Sequence, residues 1–296
     1  MSDDQLLGQK IDNVSQNIAT LNQNIILLWQ NANQNATNLS HLLINREIAE
    51  IKADPRFADP LNLLRHGFKA YSQNDEDGII QEIFARIGVT NRTFIEFGVG
   101  NGLENNTTYL LAQGWSGLWI EGSQAQADHI QANFAPALSR KQLTLTRAFA
   151  TPTTINTLFA DAGFSGEIDL LSVDIDGNDY HVLEAIEVVK PRVIVLEYNA
   201  KFRPPVSWVM PFNEHHQWDG TDRFGASLCA FDSLLNPRGY RLVGCNITGI
   251  NAFFVRADLV EGKFEAPFTP EHHYQPARYY LTPGFVAGHV ARHPPV

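Results

Sequence analysis

Five short apolar segments set the strongest limit on what this chain can fold into. They are "RTFIEFG", "SGLWIEG", "LTLTRAFA", "IDLLSVDI" and "RVIVLEYN", and the helical patterns "TTYLLAQG", "SQAQADHIQANF", "TINTLFADAG" and "DYHVLEAIEVV" separate them. Apolar strands alternating with helices imply an α/β fold, its mostly parallel sheet covered on both faces. A further helix precedes them at "DEDGIIQEIFARIG", where Ile79, Ile80, Ile83, Phe84 and Ile87 share one face and Gly88 ends it. Near the end, "YRLVGCNI" and "NAFFVRA" flank "TGI" and predict an antiparallel hairpin, for seven strands in all. No internal repeat is visible.

The first 52 residues are of another kind: rich in Asn and Gln, without Pro, and without Gly after Gly8. Read in sevens, the a positions are Ile11, Ile18, Ile25, Ala32 and Leu39, and the d positions are Val14, Leu21, Leu28, Asn35 and Leu42. All but Asn35 are apolar, the pattern of a coiled-coil helix that self-associates, with Asn35 setting register. The e and g positions lack paired charges, so a helix packed on its own domain is the alternative. "KADPRFADP", with Pro55 and Pro60, ends this helix. Two domains are therefore expected, a coiled-coil helix over 1–52 and an α/β domain over 62–296.

A formal net charge of −10 argues against a nucleic-acid partner. Cys229 and Cys245 fit no metal spacing or disulfide framework and are expected to be reduced core thiols. The acidic N-terminus lacks a signal-peptide apolar region, and "IILLW" at 25–29 is far too short to span a bilayer. A cytoplasmic chain without a transmembrane segment is the expectation.

The turn "FIEFGVGNG" after the first strand points to a ligand. Gly98, Gly100 and Gly102 allow bare backbone to approach a nucleotide-type cofactor, either NAD(P) or S-adenosylmethionine. Against the dinucleotide pattern G-x-G-x-x-G, the third glycine arrives one residue early. Glu96 would repel a pyrophosphate but suits the ammonium group of a methionine moiety. Glu121, ending the next strand, can accept both ribose hydroxyl protons in either cofactor.

Together with "YSQNDEDGIIQEIF", "LLSVDIDGNDYHVLEAI" and "VIVLEYN", this run resembles FkbM-type S-adenosylmethionine-dependent methyltransferases over about residues 68–258. The resemblance implies the seven-stranded Rossmann-like sheet of class I methyltransferases and O-methylation, often of sugars or secondary metabolites. By matching position it places Glu96, Gly98 and Gly100 at the methionine end and Glu121 at the ribose. Gln73, Asn105 and Thr107 become candidates for the methionine carboxylate, and Ala148 and Phe149 for the adenine. The NAD-dependent sugar oxidoreductase stays as the rival enzyme, and a non-catalytic coiled-coil scaffold as the rival class.

Asp174, Asp176 and Asp179 follow the fourth strand, and Glu197 and Asn199 follow the fifth. Oxygen ligands converging at these strand ends suit a hard cation such as Mg²⁺, which would weaken the O–H bond of a sugar hydroxyl. Catechol and macrolide-sugar O-methyltransferases look similar here. That likeness implies Asp174 and Glu197 as ligands and Asp176 as the base; it departs at Leu196, where the sugar enzymes carry a second acid, and Asn199 is the candidate ligand in its place. "DxDG" can equally cap the following helix. The long stretch "KFRPPVSWVMPFNEHHQWDGTDRFGAS" predicts a functional lid, whose His215 and His216 are candidate bases and whose Trp208, Asn213 and Trp218 could meet a saccharide.

Overall fold

The computed structural model describes residues 3–285 and Gly288. It divides into two units, 1–49 and 50–296. The first lies within one continuous helix, α1 (Asp3–Lys52), which buries none of its residues. Its length is about 75 Å at 1.5 Å per residue. Ile11, Val14, Ile18, Leu21, Ile25, Leu28, Leu39 and Leu42 are each more than half exposed.

The second unit follows the alternation of the sequence. In chain order its elements are α2 (Glu76–Ile87), β1 (Thr93–Phe97), α3 (Thr108–Ala112), β2 (Ser116–Glu121), α4 (Gln124–Asn133), α5 (Ala135–Ser139) and β3 (Leu143–Arg147). Then come α6 (Ile155–Asp161), β4 (Gly166–Val173), α7 (Asp179–Ala185), β5 (Val189–Glu197), α8 (Leu228–Leu235), β6 (Tyr240–Cys245), β7 (Asn251–Arg256) and α9 (Pro270–His273). The seven strands lie in the order β3-β2-β1-β4-β5-β7-β6. β1 to β5 are parallel, and β7 pairs antiparallel with both β5 and β6. The sheet is the mostly parallel Rossmann-like one expected, closed by the hairpin.

Alternation along each strand builds a core on each face. Ile95, Phe97, Leu118, Ile120, Leu171 and Val173 face one core, and Phe94, Trp119, Leu170, Val193 and Val195 the other. The order reverses between β1 and β4, so the carboxyl ends of β1, β2, β4 and β5 surround a crevice where open α/β sheets bind ligands.

Two boundaries differ from the sequence reading. The helical pattern through "AIEVV" ends at Ala185, and β5 begins at Val189 despite Pro191. Asn156 replaces the lost helical bonds: its Oδ1 accepts from the Glu187 and Val188 N–H groups, and its Nδ2 donates to the Ala185 carbonyl. α8 has no counterpart in the sequence reading, although Ser227 caps it by accepting from the Ala230 N–H.

At the start of α2, Asp75 is fully buried and neither of its carboxylate oxygens has a hydrogen-bond partner among the described residues. Burial first, and then the Glu76 charge, push its pKa up to about 7. An acid whose folded pKa exceeds its unfolded one binds more protons when folded, so stability falls as pH rises from about 4 to 7. Asp75→Asn removes that cost. We expect it to stabilise by on the order of 3 kcal/mol at pH 8 and by almost nothing at pH 4. Urea unfolding at both pH values measures this, and an equal effect at both would refute it.

Candidate active site

The turn after β1 is built by two glycines with different tasks. Gly98 has φ +84°, and a Cβ there would lie 1.5 Å from the Asp174 carbonyl oxygen, so only glycine lets the ends of β1 and β4 meet. Gly100, φ +56°, faces open space, and its N–H donates to Glu121 Oε2 at 2.9 Å. Glu121 Oε1 accepts from the Ser123 N–H at 2.7 Å. These bonds hold the carboxylate at the cleft wall with lone pairs left for two hydroxyl donors.

Glu96 lies in β1, just before the turn. It is 2% exposed and does not line the cleft. Oε1 accepts from the Asn106 N–H and Ser172 Oγ, and Oε2 from the Thr107 N–H and Oγ1. Each oxygen accepts two hydrogen bonds, and Glu96 thereby orders the segment before α3. Burial raises its pKa, and these hydrogen bonds oppose the rise. Thr107 is buried between Glu96 and the Trp119 indole N–H and also stays out of the cleft. Asn105 Oδ1 accepts from Thr108, while its Nδ2 is buried without a partner. Gln73 is exposed and outside the cleft lining.

The cleft has a volume of about 780 Å³, at the upper end of the usual range for ligand sites. Gly98, Gly100, Glu121, Ala148 and Phe149 line one part, and Asp174, Asp176, His215, His216 and Trp218 another. Phe149 is 75% exposed, and its ring covers Gly122, where a Cβ would lie 2.4 Å from it. No Lys or Arg lines the cleft among the described residues. Such a wall favours a cationic sulfonium and repels a diphosphate.

Asp174, Asp176 and Glu197 each offer a carboxylate oxygen, and these atoms lie within 4.8 Å of one another. Asp176 reaches the group because its backbone is left-handed, φ +54°, a conformation Asp adopts more readily than most residues. Asp179, 1% exposed, holds that turn: its carboxylate accepts from the Ile175 and Gly177 N–H groups at 2.8 Å. The "DxDG" motif is therefore both a turn device and part of the cluster. Asp179 was legible as an acid but not as the residue that positions the turn.

Asn199 lies just past the end of β5. It is 1% exposed, and its Nδ2 donates to the Asp222 and Phe224 carbonyls. Its amide nitrogen holds the lid and its Oδ1 accepts from the Lys201 N–H, while Asp176 supplies a third carboxylate oxygen to the cluster. Burial and then neighbouring carboxylates raise Asp174 and Glu197 well above the usual acid range. Asp176 is raised less, by burial, with His216 opposing. Glu197 Oε2 is buried with no hydrogen-bond partner among the described residues. Clustered acids with no balancing Lys or Arg among the described residues, and with an orphaned oxygen, fit a hard divalent cation.

The lid folds back over this turn. Asn178 and Asn213 exchange two hydrogen bonds, the Gly225 N–H donates to the Gly177 carbonyl, and the His216 ring nitrogen lies 3.1 Å from the Asp176 carbonyl. Phe212, His215, His216 and Trp218 consequently line the cleft. Trp208 does not; it stacks on Phe202 at 4.3 Å.

The sequence of residues 62–224 matches the methyltransferase FkbM domain. The chain belongs to the FkbM methyltransferase family. Membership sets aside the NAD oxidoreductase, because FkbM methyltransferases take the transferred methyl from S-adenosylmethionine. Solved structures similar to this FkbM chain include the methyltransferase domain of bacterial CtHen1-C, at 14% identity over 62% of this chain and 97% of that one, TM-score 0.41. The glycopeptide N-methyltransferase MtfA with S-adenosylhomocysteine is 16% identical over 65% and 92%, TM-score 0.40. An O-methyltransferase from Bacillus cereus with the same ligand is 15% identical over 71% and 88%, TM-score 0.41. No curated protein matches the chain. No helix among the described residues is long and apolar enough to cross a membrane.

Proposed function

We propose that this FkbM methyltransferase transfers the methyl group to a hydroxyl of a saccharide or similar polyhydroxy acceptor, assisted by a divalent cation such as Mg²⁺. The observation that carries this reading is the set of three carboxylates, Asp174, Asp176 and Glu197, gathered beside a cleft that no Lys or Arg lines among the described residues. Glu121 would hold the ribose hydroxyls, the Gly98–Gly100 turn would pass the methionine chain, and Phe149 with Ala148 would cover the adenine. Asp174, Asp176 and Glu197 would hold the cation, which when bound lowers the pKa of an acceptor hydroxyl. Asp176, the least enclosed of the three, or His216 beside it would take the hydroxyl proton. Trp218 and Phe212, about half exposed at the cleft, offer the apolar faces on which a sugar ring packs.

The test is an acceptor panel of glycosides, catechols and primary amines, run with S-adenosylmethionine in Mg²⁺ and in EDTA. Turnover of a glycoside that stops in EDTA and returns with Mg²⁺ supports the reading; turnover confined to amines, unaffected by EDTA, refutes it.

α1 carries a second part of the proposal, self-association in the cytoplasm through its heptad seam. A 50-residue helix whose a and d side chains are all uncovered gains its burial from another copy of the same helix. Deleting residues 1–49 should lower the sedimentation mass while the remaining unit stays folded. Equal assembly states for the two forms would disprove it.

A further inference from the structure

β6 forms one edge of the sheet, far in strand order from the ribose-side strands, and α9 packs against it. Here Glu265, His272 and His273 come together: one carboxylate oxygen and one ring nitrogen from each histidine lie within 4.8 Å of one another. Glu265 is 6% exposed and His273 5%, and His273 Nε2 is buried with no hydrogen-bond partner among the described residues. His272 Nε2 lies 3.2 Å from Glu265 Oε1. Metal–ligand bonds of 2.0–2.1 Å put neighbouring ligands of a tetrahedral zinc ion about 3.3 Å apart. Beside the two histidines is a hole of about 10 Å³, also lined by Asn62, Cys245 and Gln275, enough for roughly one water-sized occupant.

The surroundings are those of oriented ligands. Asn62 Nδ2 donates to Glu265 Oε2, and the Glu265 backbone faces the His273 ring. Such outer contacts fix the direction of metal-binding carboxylates and imidazoles. We propose that Glu265, His272 and His273 bind one zinc-class divalent ion. Two imidazole nitrogens with one carboxylate select zinc over magnesium, which prefers oxygen alone. The ion would tie the segment after β7 to itself, joining Glu265 to α9. It is separate from methyl transfer, since its cavity shares no lining residue with the cleft.

The test uses untagged full-length protein carrying Asp174→Asn and Glu197→Gln, which disable the carboxylate cluster of the cleft. After chelator treatment and dialysis, zinc chloride is titrated calorimetrically, and bound zinc is counted by mass spectrometry. One zinc per chain should bind with micromolar or tighter affinity and raise Tm by several degrees, because only the folded chain holds all three ligands together. Adding His272→Ala, at an exposed position, or Glu265→Gln should weaken binding at least tenfold and remove the rise in Tm, with the circular dichroism of the zinc-free protein unchanged. Failure to bind zinc below 100 μM, or undiminished affinity in His272→Ala, would overturn the site and leave an ion pair beside a water-sized hole.

Discussion

Asp174→Asn is expected to lower the rate of methyl transfer by on the order of 10²-fold or more, the usual loss with a hydroxyl-activating group, while leaving S-adenosylhomocysteine affinity within about twofold. The separation is positional. Glu121 ends β2 and the glycine turn follows β1, whereas Asp174 follows β4 and faces Asp176 and Glu197. The substitution should not unfold the protein either. Burial and like charges hold Asp174 above the usual carboxylate range, so removing one charge relieves repulsion at neutral pH and Tm should hold or rise. Raised acids also make protons compete with a cation, so Mg²⁺ dependence should steepen as pH falls. Stopped-time assays, calorimetry and thermal melts on the same preparation separate these effects. A wild-type rate in Asp174→Asn would remove the cluster from the chemistry.

The second large effect belongs to Glu121. Its carboxylate is held by the Gly100 and Ser123 N–H groups with capacity left toward the cleft. Glu121→Ala removes a charged acceptor for two ribose hydroxyls, and hydrogen bonds to charged groups contribute about 1.5–3 kcal/mol. S-Adenosylhomocysteine should bind 10- to 100-fold more weakly. Glu121→Gln, which keeps one carbonyl acceptor, should recover part of that loss. Calorimetry on the three forms decides it, and unchanged affinity in Glu121→Ala would show that the ribose is held elsewhere.

What was legible in the sequence and what was not follow from the range of the forces involved. Strand positions and the two-faced sheet were readable because the apolar runs from "RTFIEFG" to "RVIVLEYN" encode burial locally. The end of α7 was not, because Asn156, distant in sequence, replaces its final hydrogen bonds. Gly98 announced a tight turn, but the need for it comes from the Asp174 carbonyl across the sheet. Glu96 and Asn199 were visible as polar groups at strand ends. Only the fold shows that each spends its hydrogen bonds inside the protein, on the segment before α3 and on the lid. Asp176 reaches the cluster through one left-handed backbone angle, which residue type allows but does not dictate.

The central claim, methyl transfer to a hydroxyl at the Asp174–Asp176–Glu197 cluster, is tested most directly by following a ¹³C-labelled methyl group from S-adenosylmethionine into product by NMR. The account predicts a methyl ether on a polyhydroxy acceptor, formed with Mg²⁺, suppressed by EDTA and absent with Asp174→Asn. A labelled methyl on nitrogen or carbon, formed at the same rate in EDTA and by Asp174→Asn, would contradict it.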